Sequence, residues 1–208
     1  MEILYQDEKL VVCIKPAGVL STDEPGGLPE LLREYLGTDN IRTVHRLDRV
    51  VGGVMVLART ARAASDLSAQ IREGVFEKEY TALIHGKTPE EAGTFRDYLF
   101  RDKTQRKSFV VSEAGREAQE AVLHYRTLGH SDDLSLVRIR LETGRTHQIR
   151  AQFSGRGLPL VGDKKYGLGE ECPIGLWSTR VAFIHPAKNI PMEFEVLPPE
   201  TEPWTNIK

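Results

Sequence analysis

The sequence predicts an α+β protein organised around a sheet, on three observations. Short apolar or alternating runs are mixed with amphipathic stretches in no regular strand-helix alternation, which sets the chain apart from parallel α/β folds. Proline and glycine punctuate these runs, at Pro16-Ala17-Gly18, Gly37, Gly74 and Gly144. The 208 residues, 40% hydrophobic and 28% charged, have an ordinary globular composition with enough apolar material for a sizeable core. We expect a single domain over 1–208, either one large body or two small lobes sharing a cleft, with no repeat, linker or low-complexity tract.

The elements follow from local pattern. Lys9 to Lys15 reads as an apolar strand ended by Pro16, which cannot continue a ladder. Leu28 to Leu36 reads as a short helix with Pro29 near its start and Gly37 just past its end. Val54 to Ala58 is a continuous apolar run too short for a helix and reads as a buried strand. Thr60 then caps a helix whose Ala64, Leu67, Ser68, Ile71 and Val75 recur at helical spacing, with Gly74 near the stop.

Farther on, alternation from Lys78 to Ile84 puts Tyr80, Ala82 and Ile84 on one strand face. From Leu136 to Glu142 it turns Val137, Ile139 and Leu141 inward and Arg138, Arg140 and Glu142 outward. Thr146 is the expected cap of a short helix through Ser154, closed by Gly155 and Gly157. On that helix Ile149 and Phe153 share an apolar face, and Arg150 lies about a hundred degrees around, placed to reach a carboxylate if turned inward. The tail alternates through Val181, Phe183 and Met192 to Leu197 and ends in a Pro-rich stretch expected to fray.

Composition narrows the function. No stretch approaches the roughly 20 apolar residues of a membrane span. The start, Met1 to Glu8, lacks the charged and apolar regions of a signal peptide, so we expect a cytoplasmic protein without a membrane partner. Cys13 and Cys172 lie far apart and in no metal-ligand spacing, which argues against a disulfide framework and a zinc site. The net charge of -2 is modestly acidic, but Arg138 to Lys165 holds seven basic residues against Glu142 and Asp163. Arg101, Lys103, Arg106 and Lys107 form a second basic cluster. Such clusters suit phosphate, although most charge runs only solvate a face.

The chemistry centres on His45-Arg46-Leu47-Asp48-Arg49, one acid between two arginines at the entry to the predicted strand at Val54. Nearby cations keep a carboxylate ionised, and an ionised carboxylate serves as nucleophile or base. Asp48 is therefore the first candidate for catalysis, with Arg150 as a bidentate ion-pair partner and Tyr80 as a ring to pack on a base. A phosphotransferase, suggested by the His-Arg-x-Asp pattern, lacks both a phosphate-cradling glycine loop and a metal motif. Taken singly, a surface Asp between arginines is most often a minor ion pair, and a strand Tyr most often packing.

Four landmarks in order, Ile14-Lys15-Pro16-Ala17-Gly18-Val19, the acid motif, Phe76-Glu77-Lys78-Glu79-Tyr80 and Gly144-Arg145-Thr146-His147-Gln148-Ile149-Arg150, resemble the RNA pseudouridine synthases of the RluA type. The resemblance implies a mixed, mostly antiparallel sheet with flanking helices and a central active-site cleft. It implies a cofactor-free and metal-free isomerase that converts uridine to pseudouridine in a stem-loop of ribosomal or transfer RNA, extruding the uridine from its stack. By it, Asp48 matches the catalytic aspartate, Arg150 its ion-pair partner and Tyr80 the active-site tyrosine. Arg46 matches an arginine that takes the place of the extruded base. Beside these, the residues themselves offer Lys15, His147 and Ile149 as candidates for substrate binding, and the loop Asp163-Lys164-Lys165-Tyr166 with Lys15 for RNA contact, although loop lysines most often only solvate a surface.

The landmarks begin within fifteen residues of the start, so no N-terminal S4-type RNA-binding domain is expected, and a monomer is. After the acid, where the family usually has Thr-Ser-Gly, this chain has Val51-Gly52-Gly53. Two hydroxyls are absent and Gly52 adds backbone freedom beside the site. An RNA-binding protein that keeps the fold without catalysis is the alternative reading.

Overall fold

The computed structural model describes residues 1–115, 117–131 and 133–206. In chain order its elements are β1 (Glu2–Gln6), β2 (Leu10–Lys15), α1 (Leu28–Leu36), β3 (Arg42–Thr43), β4 (Gly52–Ala58) and α2 (Ala61–Glu73). Then come β5 (Glu77–His85), β6 (Ala92–Asp102), β7 (Lys107–Val111), β8 (Ala118–Ser131), β9 (Leu134–Leu141), α3 (Gln148–Ser154), β10 (Leu176–Ile184) and β11 (Pro191–Glu195). A 3-10 turn follows at Trp204–Asn206. The chain divides into two compact units, one of Met1–Lys78 with Trp177–Leu197, the other of Glu79–Leu176 with the segment from Pro198 onward.

In the first unit β1, β2 and β4 run as antiparallel neighbours, and β3 pairs antiparallel with the far end of β4. β10 joins β4 in parallel, Trp177 opposite Gly52 and Ser178 opposite Gly53, and β11 returns antiparallel along β10. All seven residues of β4 are buried, as a continuous apolar run predicts. α2 starts where Thr60 accepts the Ala63 N–H and stops at Gly74 in the left-handed conformation, so cap and stop are both as predicted. It lays Ala63 and Leu67 onto Leu10, Val12, Val54, Val56, Phe76, Val181 and Phe183, the unit's core. Asp7 ties this unit's ends, accepting from Tyr5, His185 and Lys188 and from the N–H groups of Lys9 and Leu10. Burial opposes its charge, but these bonds outweigh burial and hold its carboxyl well below the usual carboxylate range.

The second unit is an antiparallel ladder in the order β5-β9-β8-β6-β7. Tyr80 to Ile84 are buried without a break, so β5 is covered on both faces and the expected one-face alternation is absent. Along β9, Val137 and Ile139 point inward as expected, with Arg140 exposed and Leu141 half-buried. α3 is buried on every side from Gln148 to Phe153. In the C-terminal stretch, most of whose described residues are exposed, Pro203 is buried beside the 3-10 turn. With the parallel pairing of β10 and β4 amid antiparallel ladders, and few helices, the fold is α+β with a mixed, mostly antiparallel strand arrangement.

Candidate active site

Asp48 lies half-buried on the loop between β3 and β4, where the Val51 N–H closes a turn onto its carbonyl at 3.0 Å. The segment after β2 grips this loop from below. The Ser21 hydroxyl donates to the Leu47 carbonyl at 2.8 Å and accepts the Leu47 N–H at 3.0 Å, satisfying both backbone groups of the residue just before the acid. Gly18, at φ 90°, donates its N–H to the Arg49 carbonyl at 2.7 Å, and Arg49 returns a bond from Nε to the Gly18 carbonyl at 2.9 Å. The first sequence landmark therefore acts as a mount for the second.

Lys15 completes this mount and is not a surface contact for RNA. It is 0% exposed and its ammonium donates to the carbonyls of Pro16 at 2.9 Å, Val19 at 2.7 Å and Arg49 at 3.3 Å, so all three protons point into the protein. Burial pushes this ammonium down to about 8 while the charge of Asp48 pulls it back up. His45 is also structural. Its Nε2 accepts the Val56 N–H at 3.0 Å, which assigns the ring proton to Nδ1, and its ring packs 5.2 Å from that of Phe76. Burial, helped by the charge of Lys78, pushes it down to about 3 and keeps it neutral. Arg46 and Arg49 stay exposed on either side of Asp48.

The freedom expected from Gly52 is absent. Val51 is buried at 2%, and Gly52 and Gly53 are locked in the parallel ladder against β10. A Cβ on Gly52 would fall 2.5 Å from the Trp177 ring, and Gly53, at φ 123°, lies against the Ser178 backbone. The glycine where the family usually has serine is thus required by the tryptophan beside it.

In the second unit Tyr80 is buried at 6% on β5, opposite Ile139, and Ile149 at 4% on α3. His147, not Thr146, occupies the cap position of α3, in the left-handed conformation at φ 54° and without a capping bond from its side chain. The Gln148 Oε1 instead accepts from the Arg145 N–H at 2.9 Å and its amide nitrogen donates to the Val122 carbonyl, holding the helix start from within. The His147 Nδ1 meets the Tyr166 hydroxyl at 2.9 Å.

Arg150 does turn inward and meets Asp163, which the sequence suggests only as part of an RNA-contact loop and which is buried instead. Its Nε and Nη2 each donate at 2.7 Å to the two oxygens of Asp163, with side chains 5% and 0% exposed. Burial would raise the Asp163 carboxyl, but the Arg150 bonds and charge and the N–H groups of Lys165 and Tyr166 bring it below its ordinary value. The Tyr166 ring lies 5.1 Å from the Arg150 guanidinium carbon. Much of the basic stretch around Arg150 is engaged internally, Arg138 with Glu79 and Arg156 with Asp97. Arg101, Lys103 and Arg106, at the β6–β7 turn, face solvent.

Among the described residues no group of His, Cys, Asp and Glu is arranged to hold a metal, and no helix is long and apolar enough to cross a membrane. Burial pushes the Cys13 thiol up to about 12, which keeps it from reacting as a thiolate.

Residues 9–155 match the RNA pseudouridylate synthase family. The chain is 34% identical over 228 residues to ribosomal large subunit pseudouridine synthase D of Pseudomonas aeruginosa, covering 98% of this chain and 70% of that protein. It is 32% identical over 214 residues to YlyB, an uncharacterized RNA pseudouridine synthase of Bacillus subtilis strain 168, covering 96% and 70%. The solved structure of human RNA pseudouridylate synthase domain containing 1 matches with a TM-score of 0.82 at 25% identity, covering 96% of this chain and 84% of that one. Motif order, strand arrangement and similarity along nearly the whole chain agree, and the chain belongs to the RNA pseudouridylate synthase family in its RluA branch, as an isomerase acting on uridine in RNA.

Proposed function

We propose that Asp48 carries the reaction, on a uridine in a stem-loop of ribosomal or transfer RNA. The observation that supports this best is the mounting of its loop: Ser21, Gly18 and Lys15 fix the backbone on both sides of Asp48, while its side chain stands half-buried between two exposed arginines. A carboxylate so held can add to carbon 1 of the ribose or take the proton from carbon 2, and either step frees uracil to turn and rejoin through its carbon 5. Both routes begin at the same oxygen atoms and need no metal or cofactor.

In this reading Arg150 is the ion-pair partner of Asp48 and Tyr80 packs against the base, roles that rest on the family's motif order. Within the second unit the guanidinium is oriented by Asp163, which takes its Nε and Nη2. Arg46 would fill the stack after the uridine leaves, offsetting the few kcal/mol that extrusion costs. His147 and Ile149 line the same region of the second unit, and Arg101, Lys103 and Arg106 supply phosphate contacts. The same reading expects a monomer in the cytoplasm.

The test is carbodiimide mapping of pseudouridine in cellular RNA from a strain lacking this gene, complemented with wild type or with Asp48→Asn. A site lost on deletion and restored only by wild type supports the proposal and identifies the substrate. A site restored by Asp48→Asn removes Asp48 from the chemistry, and RNA binding with no site changed at all would favour a binding role.

A further inference from the structure

We infer that Asp163 is a positioning residue for the isomerisation, holding the Arg150 guanidinium in one plane and one rotation whether or not Asp48 is charged. This rests on the reading of Arg150 given above and adds a residue to it. Two parallel bonds at 2.7 Å, from Nε and Nη2 to separate oxygens, fix a guanidinium in a way a single contact cannot. With both side chains out of solvent, neither salt nor water competes for the pair.

Asp163 is itself fixed by its own loop. Its Oδ1 also accepts the N–H groups of Lys165 at 2.9 Å and Tyr166 at 3.2 Å, and its carbonyl accepts the Gly167 N–H at 2.7 Å. The preceding Gly162, at φ 68°, is held by a bond from its N–H to Glu170 Oε2 at 2.8 Å, and Glu170 Oε1 meets His85 Nε2 at 2.9 Å. At the other end of the loop, the Tyr166 hydroxyl accepts the Ser108 N–H at 2.7 Å while its ring sits against Arg150. A turn this heavily supported delivers one carboxylate to one guanidinium. Charge balance alone would be met by any nearby acid, whereas orientation requires this one.

The experiment compares wild type, Asp163→Asn and Asp48→Asn, using ribosomal and transfer RNA from the deletion strain as substrate, with product measured at the mapped uridine. Asn keeps the shape and the turn bonds but accepts only one charge-free bond from the guanidinium. Asp163→Asn is expected to lower kcat by about 10- to 100-fold with KM within about threefold, the signature of a misaligned catalytic group in a folded protein. A wild-type kcat in Asp163→Asn, with Asp48→Asn inactive, overturns the inference and leaves the proposed function standing. An active Asp48→Asn overturns the proposed function instead.

Should Asp163→Asn not fold, the Arg150 side-chain Nε–H resonance decides the matter in the other two proteins. It is expected at the same shift and with the same slow exchange in wild type and Asp48→Asn, because Asp163 holds it. Loss of that protection in Asp48→Asn would mean that Asp48 orients the arginine, and the inference would fall.

Discussion

Trp177 and Gly52 fit each other as ring and gap. The indole is pinned by a bond from Nε1 to the Val196 carbonyl at 3.0 Å, and a Cβ on Gly52 would lie 2.5 Å from its Cζ3 and 3.2 Å from the Lys15 carbonyl. Overpacking of this kind costs about 1–3 kcal/mol. Gly52→Ser should therefore lower the urea midpoint accordingly, and Trp177→Leu added to it should restore most of the loss. A neutral Gly52→Ser would show that the indole can move aside.

Lys15→Met removes the donor to three carbonyls and leaves them buried. At about 1–3 kcal/mol for each buried group left unpaired, we expect a loss of about 3 kcal/mol or more. Turnover should fall further than the folded fraction does, because the Asp48 loop loses its mount. Chemical denaturation and single-turnover assays at a temperature where the variant is folded separate the two effects.

His45 makes stability depend on pH on the acid side. The unfolded chain takes up a proton near 6.5, while the folded ring resists until about 3, so between those values the unfolded state binds more protons and stability falls as pH falls. From pH 7 to pH 5 this amounts to about 2 kcal/mol. His45→Gln, which can still accept the Val56 N–H, should show a shallower fall over the same interval in urea titrations. Parallel pH curves for the two proteins would contradict the assignment.

Arg150→Met leaves Asp163 as a buried carboxylate without its cation and should destabilise by about 3–5 kcal/mol, in addition to abolishing turnover. Adding Asp163→Asn should recover more than half of the stability and none of the activity. A double-mutant cycle on these two positions measures the coupling directly.

The parts of the fold legible in the sequence are those where burial is one-sided or complete. α1 and α2 have clean periods and glycine stops, and β2 and β4 are unbroken apolar runs. The ladder of β8, β6 and β7 gives little signal because its long strands are half exposed, with Arg96, Arg101 and Glu120 among their residues. α3 is misjudged at its start because an internal side chain, Gln148, replaces the usual cap. In the site, the acid motif stands out because its charge pattern is local. Ser21 acts only through the backbone of a residue far along the chain, and Asp163 is masked in sequence by Lys164 and Lys165. Both are visible only once the chain is folded.

The first unit closes with a strand from near the end of the chain. β4, which leads directly out of the Asp48 loop, has Gly52 and Gly53 paired to Trp177 and Ser178, so this edge of β4 stays open during synthesis until β10, more than a hundred residues later, has emerged. A nascent chain stopped anywhere before β10 carries the acid motif without the strand that locks it. Translation itself thus sets an order of assembly in which the Asp48 loop is anchored only after β10 is made.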